Sequence, residues 1–145
     1  MDWGLKNRIA RIISPADNKA LMLAVDHGYF LGPTEKLEDL EKTITPLARY
    51  CDSLMITRGA LRTSVNPNYP VPIVLRVSGG TSIIGEDLSQ EDITVSVKDA
   101  LRLNVSALAM SVFVGSKYEY QTIVNLGKLV SEAEEYGIPV LAVTA

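Results

Sequence analysis

The chain has 145 residues, a net charge of −3 and a single cysteine, Cys51, enough for one domain whose core buries about 70% of the surface that its unfolded chain exposes. Lys and Arg are scattered rather than gathered into a basic stripe, no apolar run is long enough to span a bilayer, and Cys51 and His27 are the only thiol and imidazole. These features argue against nucleic acid or membrane as partners, and against a disulfide framework or a histidine-rich metal site.

Residues 1–13 carry Lys6, Arg8 and Arg11 between apolar positions, without the continuous apolar core of a signal peptide, so a soluble cytoplasmic protein is expected. In the same stretch Leu5, Ile9, Ile12 and Ile13 recur at helical spacing, which predicts an amphipathic helix ending before Pro15, placed to cap the bottom of a sheet. Leu21 to Val25 is a short apolar run that ends in Asp26, His27 and Gly28. Bounded by turn residues, it reads as a strand buried on both faces, of the kind found in parallel sheets covered by helices. Leu37, Leu40, Ile44 and Leu47 predict a helix over 35–48, and residues 53–57 a second strand. Arg58 opens a loop with one helical turn, rich in Asn and Pro by 66–70. A third strand over 72–77 runs into Ser78-Gly79-Gly80-Thr81-Ser82. The next helix passes through Val95, Val97, Ala100 and Leu101 and is opened by Glu91 and Asp92, whose charges suit a helix N-terminus. A fourth strand covers 107–113, a helix runs from Tyr118 to Tyr136 with Gly137 as its stop, and a fifth strand occupies 139–143.

Five strands separated mostly by helices imply repeated βα units and a parallel sheet. Side-chain alternation narrows the architecture further. If Asp26, Ala24 and Met22 share a face, the same parity gathers Thr57 and Met55, Arg76 and Val74, Ser111 and Ala109, and Thr144 and Ala142 on it, with most of the Leu and Ile opposite. A face that is small or polar toward the C-terminal strand ends, with bulky aliphatics turned away, describes a barrel interior opening into a site. The expectation is therefore an α/β protein of the (β/α)8 TIM-barrel type. A complete barrel takes eight strands and about 250 residues, so residues 1–145 are expected to form a partial barrel of five parallel strands with helices outside. Exposed strand edges in such a piece predict a homo-oligomer or partial disorder.

Several stretches carry a family resemblance: Asp2-Trp3-Gly4, Arg8-Ile9-Ala10-Arg11-Ile12, the run from Ala24 through Asp26-His27-Gly28-Tyr29-Phe30 to Pro33, Thr57-Arg58-Gly59, Val74 to Gly79, and Val114-Gly115-Ser116-Lys117-Tyr118-Glu119. Together they resemble the class I aldolases of archaeal fructose-bisphosphate type, and within them the Lsr-type branch of autoinducer-2 aldolase/thiolases. The resemblance implies that residues 1–145 are the N-terminal part of a single TIM-barrel aldolase domain. It also implies a Schiff-base lysine late in the barrel, with no counterpart here, and a phosphorylated ketone as substrate. In the Lsr branch that ketone is 3-hydroxy-5-phosphonooxypentane-2,4-dione, with coenzyme A as co-substrate for the acetyl group. No resident cofactor or metal is implied. Asp26 matches the carboxylate that handles protons beside the substrate carbonyl, and His27 follows it in the same motif. The archaeal enzymes place a proton-transferring tyrosine just after the fifth strand, where this chain has Ala145. That departure argues against fructose-bisphosphate-type activity, which stays open as an alternative beside a non-catalytic half-barrel.

Asp26 has a structural reading too, as a helix N-cap or a turn residue hydrogen-bonded to Gly28, and His27 belongs behind the site rather than in it. Arg76 is a charge inside an apolar strand and must be paired or reach solvent, with Asp26 as a partner. Arg58 and Arg76 are candidate substrate-binding residues. Ser78 joins them because the glycine-rich turn that it opens offers backbone N–H groups to an anion, although a plain turn explains the glycines equally well. Of the lysines, Lys36 and Lys117 lie in loops, where a solvated amine lacks the depressed pKa that imine formation needs.

Overall fold

The computed structural model describes residues 2–145. Helix α1 (Trp3–Ile12) is started by Asp2, whose carboxylate accepts from the Leu5 N–H at 2.7 Å. Strand β1 (Met22–Ala24) leads into a short helix, α2 (Gly28–Leu31), followed by α3 (Leu40–Leu47), β2 (Ser53–Thr57), α4 (Arg58–Ser64) and β3 (Ile73–Arg76). A small hairpin, β4 (Ser78–Gly79) and β5 (Asp92–Ile93), precedes α5 (Val97–Arg102), β6 (Ala107–Val112), α6 (Glu119–Glu135) and β7 (Val140–Thr144).

The main sheet has the order β1-β2-β3-β6-β7, every neighbouring pair parallel. Strands that follow one another along the sheet in chain order, joined through helices, make a curled half-barrel. The outward residues Leu54, Ile56, Leu75, Leu108 and Met110 pack with Ile44, Ala100, Leu129 and Ala133 of the surrounding helices. The inward cluster is smaller: Met55, Val74, Ala107 and Ala109, with Met22 and Val143 against it. Ile12 completes this inner cluster from α1, so the first helix does cap the N-terminal end of the strands. Its Arg8 guanidinium donates to the carbonyls of Gly137 at 3.0 Å and Tyr136 at 3.3 Å, in the turn that follows α6. At that helix end Gly137 takes φ +61°, and Ile138 N–H returns to the Ala133 carbonyl at 3.0 Å. A Cβ on Gly137 would also stand 3.0 Å from an Asp2 carboxylate oxygen, so both the left-handed backbone and the close approach favour glycine at this position.

Several expectations change. The helix placed over 35–48 begins only at Leu40, because Asp39 caps it through the Lys42 N–H at 3.2 Å and Lys36 turns the preceding segment with φ +68°. The loop after Thr57 is instead a seven-residue helix, α4, with the Thr57 hydroxyl as its N-cap. Strand parity slips by one residue at the fifth strand: Ala109 pairs with Leu141 and Ser111 with Val143. Leu141 and Val143 therefore face inward, and Ala142 and Thr144 do not, since a one-residue shift exchanges every side chain between the two faces.

Candidate active site

Four inward residues stand at or beyond the C-terminal ends of the strands: Asp26 after β1, Thr57 on β2, Arg76 on β3 and Ser111 on β6. In the sheet β2 lies between the strands of Asp26 and Arg76, so their backbones are separated by two strand spacings, about 9–10 Å. The concave curl and the length of the arginine close that gap. Arg76 Nε donates to Asp26 Oδ2 at 2.6 Å, and its Nη1 donates to Ser111 Oγ at 3.0 Å. Asp26 and Arg76 are 4% and 6% exposed, so the pair is desolvated and each charge depends on the other.

A second polar group stands beside the first. Strand alternation through the β4–β5 hairpin turns Glu91 into the site and Asp92 away from it, where Asn125 of α6 donates to Asp92 at 2.8 Å. Glu91 is buried and accepts from the Ser78 hydroxyl at 2.7 Å and, through its other oxygen, from the Tyr29 hydroxyl. Ser78 Oγ in turn accepts from the Ser111 backbone N–H at 3.0 Å, which joins the two groups. The Tyr29 ring lies against Gly79, where an added Cβ would meet its Cδ2 at 3.5 Å, and the Arg76 guanidinium sits 5.7 Å from its centroid. Burial foremost, and then the hydrogen bond to Glu91, push the Tyr29 hydroxyl up to about 12. It is a proton-bearing phenol at neutral pH.

Tyr29, Thr57, Arg58, Arg76, Ser78 and Thr94 line an open cleft of 270 Å³. A larger groove of 610 Å³ lies at the other end of the strands, beside Arg11, Tyr69 and Asn104, away from every one of these buried polar groups. In parallel α/β barrels the chemistry collects at the C-terminal strand ends, and the smaller cleft is there.

The predicted residues are unevenly placed. Asp26, Arg76 and Ser78 converge. Arg58 lines the cleft, but its Nη1 donates to Asp99 Oδ2 at 2.9 Å, and this bond is the foremost cause holding the Asp99 carboxyl below the usual carboxylate range. His27 opens α2 without a capping bond from its side chain, and its backbone carbonyl accepts from Leu31 N–H at 3.1 Å. No lysine lines the cleft. Lys117 is exposed with its Nζ 3.3 Å from Asp87, which holds the ammonium above its ordinary range, the reverse of what imine formation needs. Among the described residues, no three His, Cys, Asp or Glu side chains form a metal-binding group, and no helix is long and apolar enough to cross a membrane.

Glu91 and Tyr29 are the residues that sequence reasoning missed. Glu91 and Asp92 read as acids opening a helix, whereas Ser96 caps α5 through the Asp99 N–H at 3.2 Å and Asp99 is the first-turn acid. The available signal was the β-branched run Ile93-Thr94-Val95 facing Ser78-Gly79 across a loop, a hairpin pattern rather than a helical one.

A curled parallel half-barrel with a buried carboxylate–guanidinium pair at its C-terminal mouth has the architecture of the aldolase barrels. The DeoC/LacD family aldolase model matches residues 20–145, and the chain belongs to that family. More particularly, it is 54% identical over 144 residues to the 3-hydroxy-5-phosphonooxypentane-2,4-dione thiolase of Enterobacter sp. (strain 638), a match that covers 99% of this chain and 48% of that protein. The thiolase of the same name from Klebsiella pneumoniae is 53% identical with the same coverage, and an uncharacterized aldolase of Pasteurella multocida is 52% identical. The chain spans about half the length of the curated relatives that it matches. Among solved structures, a Schiff-base-forming fructose-1,6-bisphosphate aldolase shares the fold with a TM-score of 0.81 at 22% identity, over 95% of this chain and 56% of that one. An archaeal fructose-1,6-bisphosphate aldolase with its catalytic lysine bound to a carbinolamine gives a TM-score of 0.80 at 25% identity, with the same coverage.

Proposed function

We propose that residues 1–145 are the N-terminal part of a single barrel domain of a Schiff-base aldolase/thiolase that acts in the cytoplasm on a phosphorylated ketone. The ketone is 3-hydroxy-5-phosphonooxypentane-2,4-dione, and coenzyme A accepts the acetyl unit. What carries the reading is the buried Asp26–Arg76 pair at the strand ends, in a chain 54% identical to a thiolase of that substrate. Asp26 handles a proton beside the ketone carbonyl, Arg76 and Ser78 hold the substrate's oxygens, Arg58 flanks the cleft and His27 stands behind Asp26. The amine comes from a strand outside residues 1–145. An imine needs a neutral amine within bonding reach of the ketone, and Lys117, exposed and charge-paired, provides neither condition. The 145-residue chain is therefore expected to give no borohydride-trapped adduct with the ketone. Joined to the C-terminal half of the Enterobacter thiolase, it is expected to give one. A stoichiometric adduct on the isolated chain, located by mass spectrometry at Lys36 or Lys117, would place the active site elsewhere.

One observation favours a second reading, a half-barrel that pairs with itself or a partner. Leu141 faces the inside of the curl and is 39% exposed there, at an edge strand. Self-association predicts a sedimentation-equilibrium mass above the 15.8 kDa of one chain at micromolar concentration. A compact monomer would set that reading aside.

A further inference from the structure

We propose that Tyr29 and Glu91 form a proton relay for a hydroxyl bound in the cleft, a task separate from that of Asp26. The inference deepens the function proposed above and rests on it for the ligand class, a phosphorylated hydroxy-ketone. Its basis is the contrast between the two buried carboxylates. Asp26 is committed to a guanidinium at 2.6 Å. Glu91 is as deeply buried, yet among the described residues no ion pair includes it, and both of its oxygens are served by neutral hydroxyls, those of Tyr29 and Ser78. A carboxylate so placed can take up a proton with no ion pair to weaken, whereas each proton that Asp26 takes up loosens its pair with Arg76.

Anchoring the hairpin does not explain this arrangement. β5 is already held by Asn125 on Asp92 at 2.8 Å and by the Thr94 N–H on the Val77 carbonyl at 2.8 Å, so the desolvation of another carboxylate is superfluous for attachment. Tyr29 lines the cleft, while Glu91 lies behind it. The phenol is therefore the residue that a ligand meets, and Glu91 acts through it.

The step balances without a co-reactant. The O–H bond of the bound hydroxyl breaks and its proton joins the Tyr29 oxygen, while the proton already on Tyr29 passes to the Glu91 oxygen that it faces. Negative charge moves from Glu91 to the ligand oxygen, where the Arg76 guanidinium, 5.7 Å from the Tyr29 ring centroid, offsets it. The reverse transfer returns the proton.

Two measurements test the relay. In the 145-residue chain, ring-labelled tyrosine followed by NMR against pH, with the Tyr29 signal assigned from Tyr29→Phe, is expected to show Tyr29 ionising at about 12. Glu91→Gln is expected to bring that ionisation down, and an unchanged Tyr29 titration overturns the coupling. In the chain joined to the C-terminal half of the Enterobacter thiolase, Tyr29→Phe and Glu91→Gln are each expected to slow cleavage of 3-hydroxy-5-phosphonooxypentane-2,4-dione about 10²-fold, with the yield of trapped imine unchanged. Tyr29→Phe keeps the ring and its contacts, so it decides the matter even if Glu91→Gln does not fold. Undiminished turnover with imine present overturns the relay. Absence of imine in the joined protein with its native residues counts against the function proposed above, and the titration still decides the relay.

Discussion

Arg76→Met is expected to lower the unfolding free energy of the chain by about 3–5 kcal/mol, because it strands a desolvated carboxylate on Asp26 and removes the donor to Ser111. A domain of ordinary stability has about 5–15 kcal/mol in total, so the variant should sit near the edge of folding. Urea titration measures the change. Adding Asp26→Asn to Arg76→Met should recover part of the loss, since the buried charge is then gone from both sides, and the coupling between the two sites is the quantity that the double-mutant cycle isolates. A single-variant loss under about 1 kcal/mol would mean that water reaches the pair and that it is not desolvated as its burial implies.

Asp26→Asn in the chain joined to the C-terminal half of the Enterobacter thiolase is expected to slow turnover by about 10²-fold or more, the usual size of general acid/base help. Asparagine keeps the shape of Asp26 and can still accept from Arg76 Nε through its carbonyl oxygen, but it cannot take a proton. Borohydride should still trap the imine, since on the proposed reading the amine lies outside residues 1–145 and does not need Asp26 in order to attack. If turnover holds while Arg76→Met abolishes it, Asp26 only positions the arginine. Loss of the imine together with turnover would show that Asp26 acts before the covalent step.

The central strands β2, β3 and β6 were legible because burial on both faces leaves short apolar runs with sharp ends, whereas β1, read as buried on both faces, is a half-exposed edge strand. Ser53–Thr57 was predicted at its observed bounds, and the pairing of Asp26 with Arg76 followed from counting residues along two such runs. Parity failed only at the fifth strand, where Ala142 and Thr144 are the small and polar residues but the ladder from β6 pairs Ser111 with Val143. Composition there pointed one way and register the other, and register is settled by the neighbouring strand rather than by local sequence. The helix over 35–48 came out too long because hydrophobic spacing extends back to Leu37 while the cap is at Asp39. Glu91 was misread for a different reason. Two acids ahead of an apolar run look like a helix start, and only a tertiary partner, the two-residue strand Ser78–Gly79, makes them a hairpin.

That hairpin constrains how sequences of this kind can vary in length. Its tip carries Ile84 almost fully in solvent, 94% exposed, between Ile83 and Gly85. Residues added or removed at the tip change a loop and leave both ladder partners in step. A single residue added or lost within 91–93 would instead exchange the directions of its two acids, sending the Asn125 partner into the cleft and the Tyr29 partner out toward α6. Relatives aligned to this chain should accordingly carry their insertions and deletions at the tip, with the step from Glu91 to Ile93 kept free of gaps, even where the amino acids themselves differ.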